Sequence, residues 1–180
     1  MLFRSDTLER LIMASPESSS LKYVEKLARL RQEHGQMNDA VQTYEDYIEG
    51  LPPTEALPSL RKLLELYRRA NDAAGAEKTC RRLLPLIPAE EKSGLVMELA
   101  RALVEQDRSG EAADALEDRL AAVQGPDSSP LLKEALAIYL SMDNYPMIVA
   151  SYRRLAELGP NEEALDRKST RLNSSHRIRS

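Results

Sequence analysis

The chain has 180 residues, a formal net charge of −4 at pH 7 and a hydrophobic content of 42%. Ala, Leu, Glu and Arg are abundant and favour helices, whereas the strand-favouring residues Val, Ile and Thr are sparse. The single cysteine, Cys80, excludes an internal disulfide. No run of about 18 apolar residues occurs, so no membrane-spanning helix is predicted.

Similar residues recur along the chain at intervals of 36 positions. The first copy contains Leu27-Ala28, Gly35, Ala40, Tyr44 and Pro52, and the second contains Leu63-Leu64, Asn71, Ala76, Cys80 and Pro88. The third contains Leu99-Ala100, Asp107, Ala112 and Leu116, and the fourth contains Ala135-Leu136, Asp143, Ile148, Tyr152 and Pro160. Stepping backwards places Leu8, Ile12 and Pro16 at the end of an earlier copy. One departure is Gln124, which stands where a proline is expected, two residues before Pro126.

Each copy reads as a pair of amphipathic helices. Tyr23, Val24, Leu27 and Leu30 recur at helical spacing in the first copy, and Val41, Tyr44 and Ile48 do so in its second half. Turn-forming residues separate the two halves, at Gly35-Gln36, Asn71-Asp72, Asp107-Arg108 and Asp143-Asn144. Prolines separate one copy from the next, because proline ends one helix and can begin another. We place all seven tyrosines at packing positions.

The pattern resembles that of the tetratricopeptide repeat (TPR) family. The small residues of that repeat fall at Ala28, Ala100, Ala40, Ala76 and Ala112, and its aromatic residues fall at Tyr67, Tyr139, Tyr44 and Tyr152. The departures are a 36-residue period in place of about 34, Leu64 and Leu136 at small positions, and Ile148 in place of alanine. The resemblance implies an all-α fold, an α-solenoid of antiparallel helix pairs wound into a right-handed superhelix.

Both ends of the chain resemble translated sequencing adapter. Residues 166–176 match one adapter strand codon by codon, and residues 1–5 match the reverse complement of such an adapter. We therefore expect residues 1–5 and 166–180 to be non-native and residues 6–165 to be a fragment of a longer array. Subtracting six bases and one acid from the 25 and 29 of the whole chain leaves 19 and 28, a formal charge of −9. The predicted division of the array is a partial repeat at 6–18 and four repeats at 19–52, 54–88, 90–125 and 128–160.

The resemblance implies that the exposed positions of the first helices line a concave groove that holds a partner segment. These positions hold nine bases and six acids, so we hypothesise a weakly basic groove that favours an acidic protein or peptide partner. The alternative is that these charges only solvate the exposed faces of the helices. The groove residues carried over are Lys22, Lys26, Arg29, Arg61, Lys62, Glu65, Arg68, Arg69, Arg101 and Lys133. The asparagines with which chaperone-binding members hold a terminal carboxylate are absent from these positions.

No catalytic, metal or cofactor site is predicted. His34 precedes Gly35 at a helix end and Cys80 takes a core position, so neither forms a nucleophile–base pair. No Cys/His cluster with metal spacing and no glycine-rich phosphate loop occurs. The leading prediction is a non-catalytic scaffold or adaptor that binds a protein. The alternative is a recognition or regulatory arm of a larger multidomain enzyme or sensor. RNA binding by helical repeats is disfavoured by the acidic charge.

Overall fold

The computed structural model describes residues 7–12 and 17–158, with side chains from residue 20 in the second range, and these residues form helices and turns without a strand. Residues 7–12 form α1. The helices that follow are α2 (Glu17–Glu33), α3 (Met37–Glu49), α4 (Leu57–Ala70), α5 (Ala73–Leu83), α6 (Ala89–Val104), α7 (Ser109–Ala122), α8 (Ser129–Ser141) and α9 (Tyr145–Glu157). The predicted adapter segments 1–5 and 166–180, together with Pro16 and Pro160, lie outside the described residues.

The turn within each helix pair has the same backbone geometry. Gly35, Asn71, Asp107 and Asp143 adopt positive φ values between 52° and 73°, and they are 36 residues apart. The N–H of the following residue donates to a carbonyl five residues earlier, at 2.8 Å for Gln36 and 2.9 Å for Asp72. This is the Schellman arrangement, which satisfies carbonyls at the end of the first helix. Glycine, asparagine and aspartate occupy these positions because they tolerate the left-handed region.

The chain divides into two compact units, with the first ending at Ala115 and the second beginning at Leu116 within α7. In the first unit α2 packs against α3, α3 against α4, α4 against α5, and α5 against α6. Its core contains large aliphatic side chains such as Leu27, Leu60, Leu63 and Leu83, each no more than 2% exposed. The small residues Ala28, Ala40, Ala76 and Ala100 are also buried, which lets neighbouring helices approach closely.

The second unit contains an element that the sequence did not predict. Gly125–Ser128 forms a short 3-10 helix that packs against α8, and α8 in turn packs against α9. Gly125 adopts a φ of 68°, and the Ser128 hydroxyl donates to the Gly125 carbonyl at 2.7 Å. The 3-10 helix occupies the link where Gln124 replaces the expected proline.

The placement of all seven tyrosines at packing positions is wrong for Tyr145. Tyr44, Tyr67 and Tyr139 are buried, but Tyr145 is 70% exposed. The physical reason is its position, because Tyr145 is the first residue of α9 and directly follows the N-cap residue Asn144. The equivalent position in the first copy is Met37, which begins α3 and is only half-buried.

Two tyrosines at equivalent repeat positions join neighbouring helix pairs. Tyr67 of α4 donates to Glu45 of α3 at 2.8 Å, and Tyr139 of α8 donates to Glu117 of α7 at 3.0 Å. The Tyr67 ring lies directly against Gly75 of α5, where an added Cβ would overlap it. Burial and the hydrogen bond to Glu45 raise the pKa of Tyr67 above its usual range.

A polar network centred on Glu77 joins α5 to the end of α6 and the start of α7. Glu77 accepts hydrogen bonds from Arg81 at 2.9 Å, from Gln106 at 3.1 Å and from Arg108. Arg108 also pairs with Glu111 in the first turn of α7. Partial burial acts to raise the pKa of Glu77, but the three hydrogen bonds outweigh it and the pKa is lowered.

Candidate functional site: the exposed face of the first helices

The predicted groove residues occupy the solvent-facing side of the first helix in each pair. Lys22, Lys26 and Arg29 recur at intervals of four and three residues on α2, opposite the buried stripe that contains Val24 and Leu27. The remaining predicted residues are Arg61, Lys62, Glu65, Arg68 and Arg69 on α4, Arg101 on α6 and Lys133 on α8, and all of them are exposed. Lys133 belongs to the second unit, whereas the other predicted residues belong to the first.

A cleft of about 350 Å³ opens between α2 and α4 over the side of α3. Its lining is largely polar, and it brings together three of the predicted cations. The lining residues are Glu25, Arg29, Gln32, Tyr44, Lys62, Glu65, Leu66 and Arg69. Arg69 donates to the side chain of Gln32 at 3.2 Å, which connects the two first helices. Lys62 lies 3.6 Å from Glu65 in the same cleft.

Tyr44 of α3 lies at the floor of this cleft. Its side chain is 4% exposed, and among the described residues its hydroxyl group has no hydrogen-bond partner. Tyr67 and Tyr139, by contrast, each donate to a carboxylate within the chain. Burial, and then the nearby charges of Glu25 and Glu65, raise the pKa of Tyr44 to about 12, so the hydroxyl keeps its proton at neutral pH.

A second cleft, of about 260 Å³, opens between α4 and α6 and has a different electrostatic character. Arg61 pairs with Glu91 across it, and Arg68 pairs with Glu98 at a distance of 3.1 Å. These arginines are therefore already matched by acids of the next first helix. The lining residues are Arg61, Leu64, Glu65, Arg68, Leu83, Ile87, Glu91, Leu95 and Glu98, which include three acids against two bases.

Cys80 and His34, the two residues considered for catalysis, lie at the core position and the helix end that the sequence predicted. Cys80 is fully buried, and burial raises the pKa of its thiol to about 12, so the nucleophilic thiolate is suppressed. His34 is exposed in the turn after α2. Within residues 7–12 and 17–158 no group of three or more His, Cys, Asp or Glu residues is arranged to hold a metal ion. No helix in the described part of the chain is long and apolar enough to cross a membrane.

The sequence missed two features of this face. Tyr44 was read as a packing aromatic, because its repeat position gives the ring but not the environment of its hydroxyl. Glu91, which pairs with Arg61, lies outside the predicted face. The ion pairs Arg61–Glu91 and Arg68–Glu98 share a sequence separation of 30 residues, and that shared spacing could have suggested them.

Solved structures of other proteins share this arrangement of helix pairs. The nearly identical TPR-like repeats of a Podosopora anserina protein assigned as a kinesin light chain superpose with a TM-score of 0.64 at 19% identity, covering 86% of this chain and 84% of that one. MamA gives a TM-score of 0.55 at 17% identity, covering 74% of this chain and 75% of that one.

A third similar structure is BtubC (BKLC) from P. vanneervenii, which has a TM-score of 0.55 at 16% identity and covers 86% of this chain and 69% of that one. No protein-family model and no curated protein sequence matches the chain. The chain therefore has a TPR-like helical repeat fold, as its residue pattern predicted.

Proposed function

We propose that this chain is a non-catalytic protein-interaction module whose α2 and α4 faces hold a segment of an acidic partner protein. The supporting observation is the row of exposed cations along these two helices, with a cleft between them. The predicted face of α2 and α4 carries seven bases, namely Lys22, Lys26, Arg29, Arg61, Lys62, Arg68 and Arg69, against the acids Glu25, Glu33 and Glu65. Two of the seven, Arg61 and Arg68, are paired with Glu91 and Glu98 of α6. A basic patch on a chain with a net charge of −4 steers an acidic partner to one surface.

The helix-pair architecture suits such a role. Each pair buries its apolar side against its neighbours, which leaves the outer sides of successive first helices free to present a continuous row of side chains. An extended segment lying across that row would contact several repeats at once. We do not propose nucleic acid as the partner, because the chain as a whole is acidic and nucleic-acid binders are usually basic.

A peptide-display selection against the purified chain tests this proposal. The enriched peptides are expected to carry a net negative charge, and their affinity should fall at least tenfold in the double variant Arg68→Glu/Arg69→Glu. The matched control is Lys78→Glu/Arg82→Glu on the exposed side of α5, which changes the net charge by the same amount. Failure to enrich any peptide, or equal affinity in the two double variants, would contradict the proposal.

A further inference from the structure

The bases of α4 divide between two clefts. Arg61 and Arg68 point towards α6, where Glu91 and Glu98 pair with them. Lys62 and Arg69 line the cleft towards α2, together with Arg29. A partner carboxylate that entered the α4–α6 cleft would have to displace an acid of the chain itself. In the α2–α4 cleft, Arg29 has no ion-pair partner among the described residues. A partner carboxylate could therefore bind Arg29 without displacing an acid of the chain.

We propose that the α2–α4 cleft is an anion-binding subsite that takes a carboxylate side chain of the acidic partner segment. The Tyr44 hydroxyl donates a hydrogen bond from the floor, and Arg29 and Arg69 hold the carboxylate from the walls. This inference rests on the proposed function and narrows it to one cleft and one kind of chemical group.

The Tyr44 side chain is the observation that points to a ligand. It is 4% exposed, and its hydroxyl oxygen, which is open to solvent and has no partner among the described residues, lies at a cleft of about 350 Å³. The cleft is far larger than the roughly 10–15 Å³ that one water molecule needs, so it has room for a carboxylate group. A carboxylate in the cleft would give this hydroxyl an acceptor.

The same chain already uses the proposed contact elsewhere. Tyr67 and Tyr139 each donate to a glutamate carboxylate, at 2.8 and 3.0 Å. The Tyr44 hydroxyl is protonated at neutral pH, so it can act as the same kind of donor. Hydrogen bonds to a charged acceptor are stronger than those between neutral groups.

The charges of the cleft favour an anion over a cation. Its lining holds Arg29, Lys62 and Arg69 against Glu25 and Glu65, and Glu65 is close to Lys62. Lys22 and Lys26 add two further exposed positive charges on the same helix. The acids restrict where in the cleft a carboxylate can bind. A carboxylate beside Glu25 or Glu65 would be repelled, whereas one between Arg29 and Arg69 would be held.

The test uses a hexaglutamate peptide with an uncharged fluorescent label on its N-terminus and an amide at its C-terminus, so that its side-chain carboxylates are its only anionic groups. Its affinity for the full chain is measured by fluorescence anisotropy at low salt. Tyr44→Phe keeps the ring and removes the hydroxyl, and it is expected to weaken binding about tenfold. Tyr67→Phe is the matched control, because its hydroxyl is already bound to Glu45, and it is expected to leave the affinity unchanged.

A second pair of variants compares exposed arginines of equal charge. Arg29→Gln is expected to weaken binding about threefold, whereas Arg61→Gln, whose guanidinium is held by Glu91, should change it far less. Both variants lower the net charge by one, so long-range electrostatics affects them equally.

Three results would overturn the inference. They are no binding of hexaglutamate by the wild type, equal affinity of wild type and Tyr44→Phe, and equal loss in the two arginine variants. In each case the display selection described above, which depends on neither Tyr44 nor hexaglutamate, still decides the proposed function separately.

Discussion

Replacing Gly75 by alanine should destabilise the first unit, although the same change usually stabilises a helix. Alanine in place of glycine within a helix ordinarily gains about 0.5–1 kcal/mol. At Gly75 the added Cβ would overlap the Tyr67 ring, and overpacking of this kind costs about 1–3 kcal/mol. Displacing the ring also weakens the hydrogen bond from Tyr67 to Glu45, so we expect a net loss of about 2 kcal/mol.

Gly94 provides the matched control for that prediction. It lies within α6, and an added Cβ there would meet nothing within 4 Å, so Gly94→Ala should raise the free energy of unfolding by about 0.5–1 kcal/mol. Urea denaturation followed by circular dichroism measures both changes. In a Tyr67→Leu background, Gly75→Ala should lose most of its effect, because the ring is gone. Equal stability of Gly75→Ala and the wild type, or the same loss in both backgrounds, would refute the reasoning.

Three further predictions concern single side chains of the first unit. Asp72→Ala removes the N-cap that accepts from the Gly75 N–H at 2.9 Å and should cost about 1 kcal/mol in urea denaturation, whereas Gln36→Ala, at an N-cap without a side-chain hydrogen bond, should cost little. Glu77→Gln should reduce the free energy of unfolding at pH 7. Because the fold lowers the pKa of Glu77, the stability that its charge provides is lost as the pH falls through that lowered pKa. The difference in stability between wild type and variant should therefore shrink in acid. The Cys80 thiol should react with a disulfide reagent at pH 8 when the chain is unfolded in urea but not when it is folded, because burial raises the pKa of the thiol to about 12. Rapid reaction of the folded chain would contradict the buried position of Cys80.

The helix pairs and their turns could be predicted because they depend on local sequence. Turn residues such as Asn71 and Asp107 mark the left-handed positions directly, and the spacing of apolar residues marks the buried side of each helix. Tyr145 could have been placed correctly by the same logic, since its repeat position begins a helix.

The electrostatics of the exposed face could not be read in this way. The exposed face of α4 holds four bases, yet two of them, Arg61 and Arg68, are matched by acids 30 residues further along the chain. Which neighbour an exposed arginine meets depends on the angle between helices, and the repeat pattern does not specify it. The free hydroxyl of Tyr44 is likewise a property of packing, because it depends on what the side chains of α2 and α4 leave uncovered.

Mapping a bound peptide on the chain tests the central claim most directly. An acidic peptide from the display selection would be titrated into isotope-labelled protein, and the changes in NMR chemical shift would be assigned to residues. The account predicts that the largest changes fall on the exposed sides of α2 and α4, around Arg29, Tyr44 and Arg69. Changes confined to the exposed side of α5, or to the second unit, would contradict it.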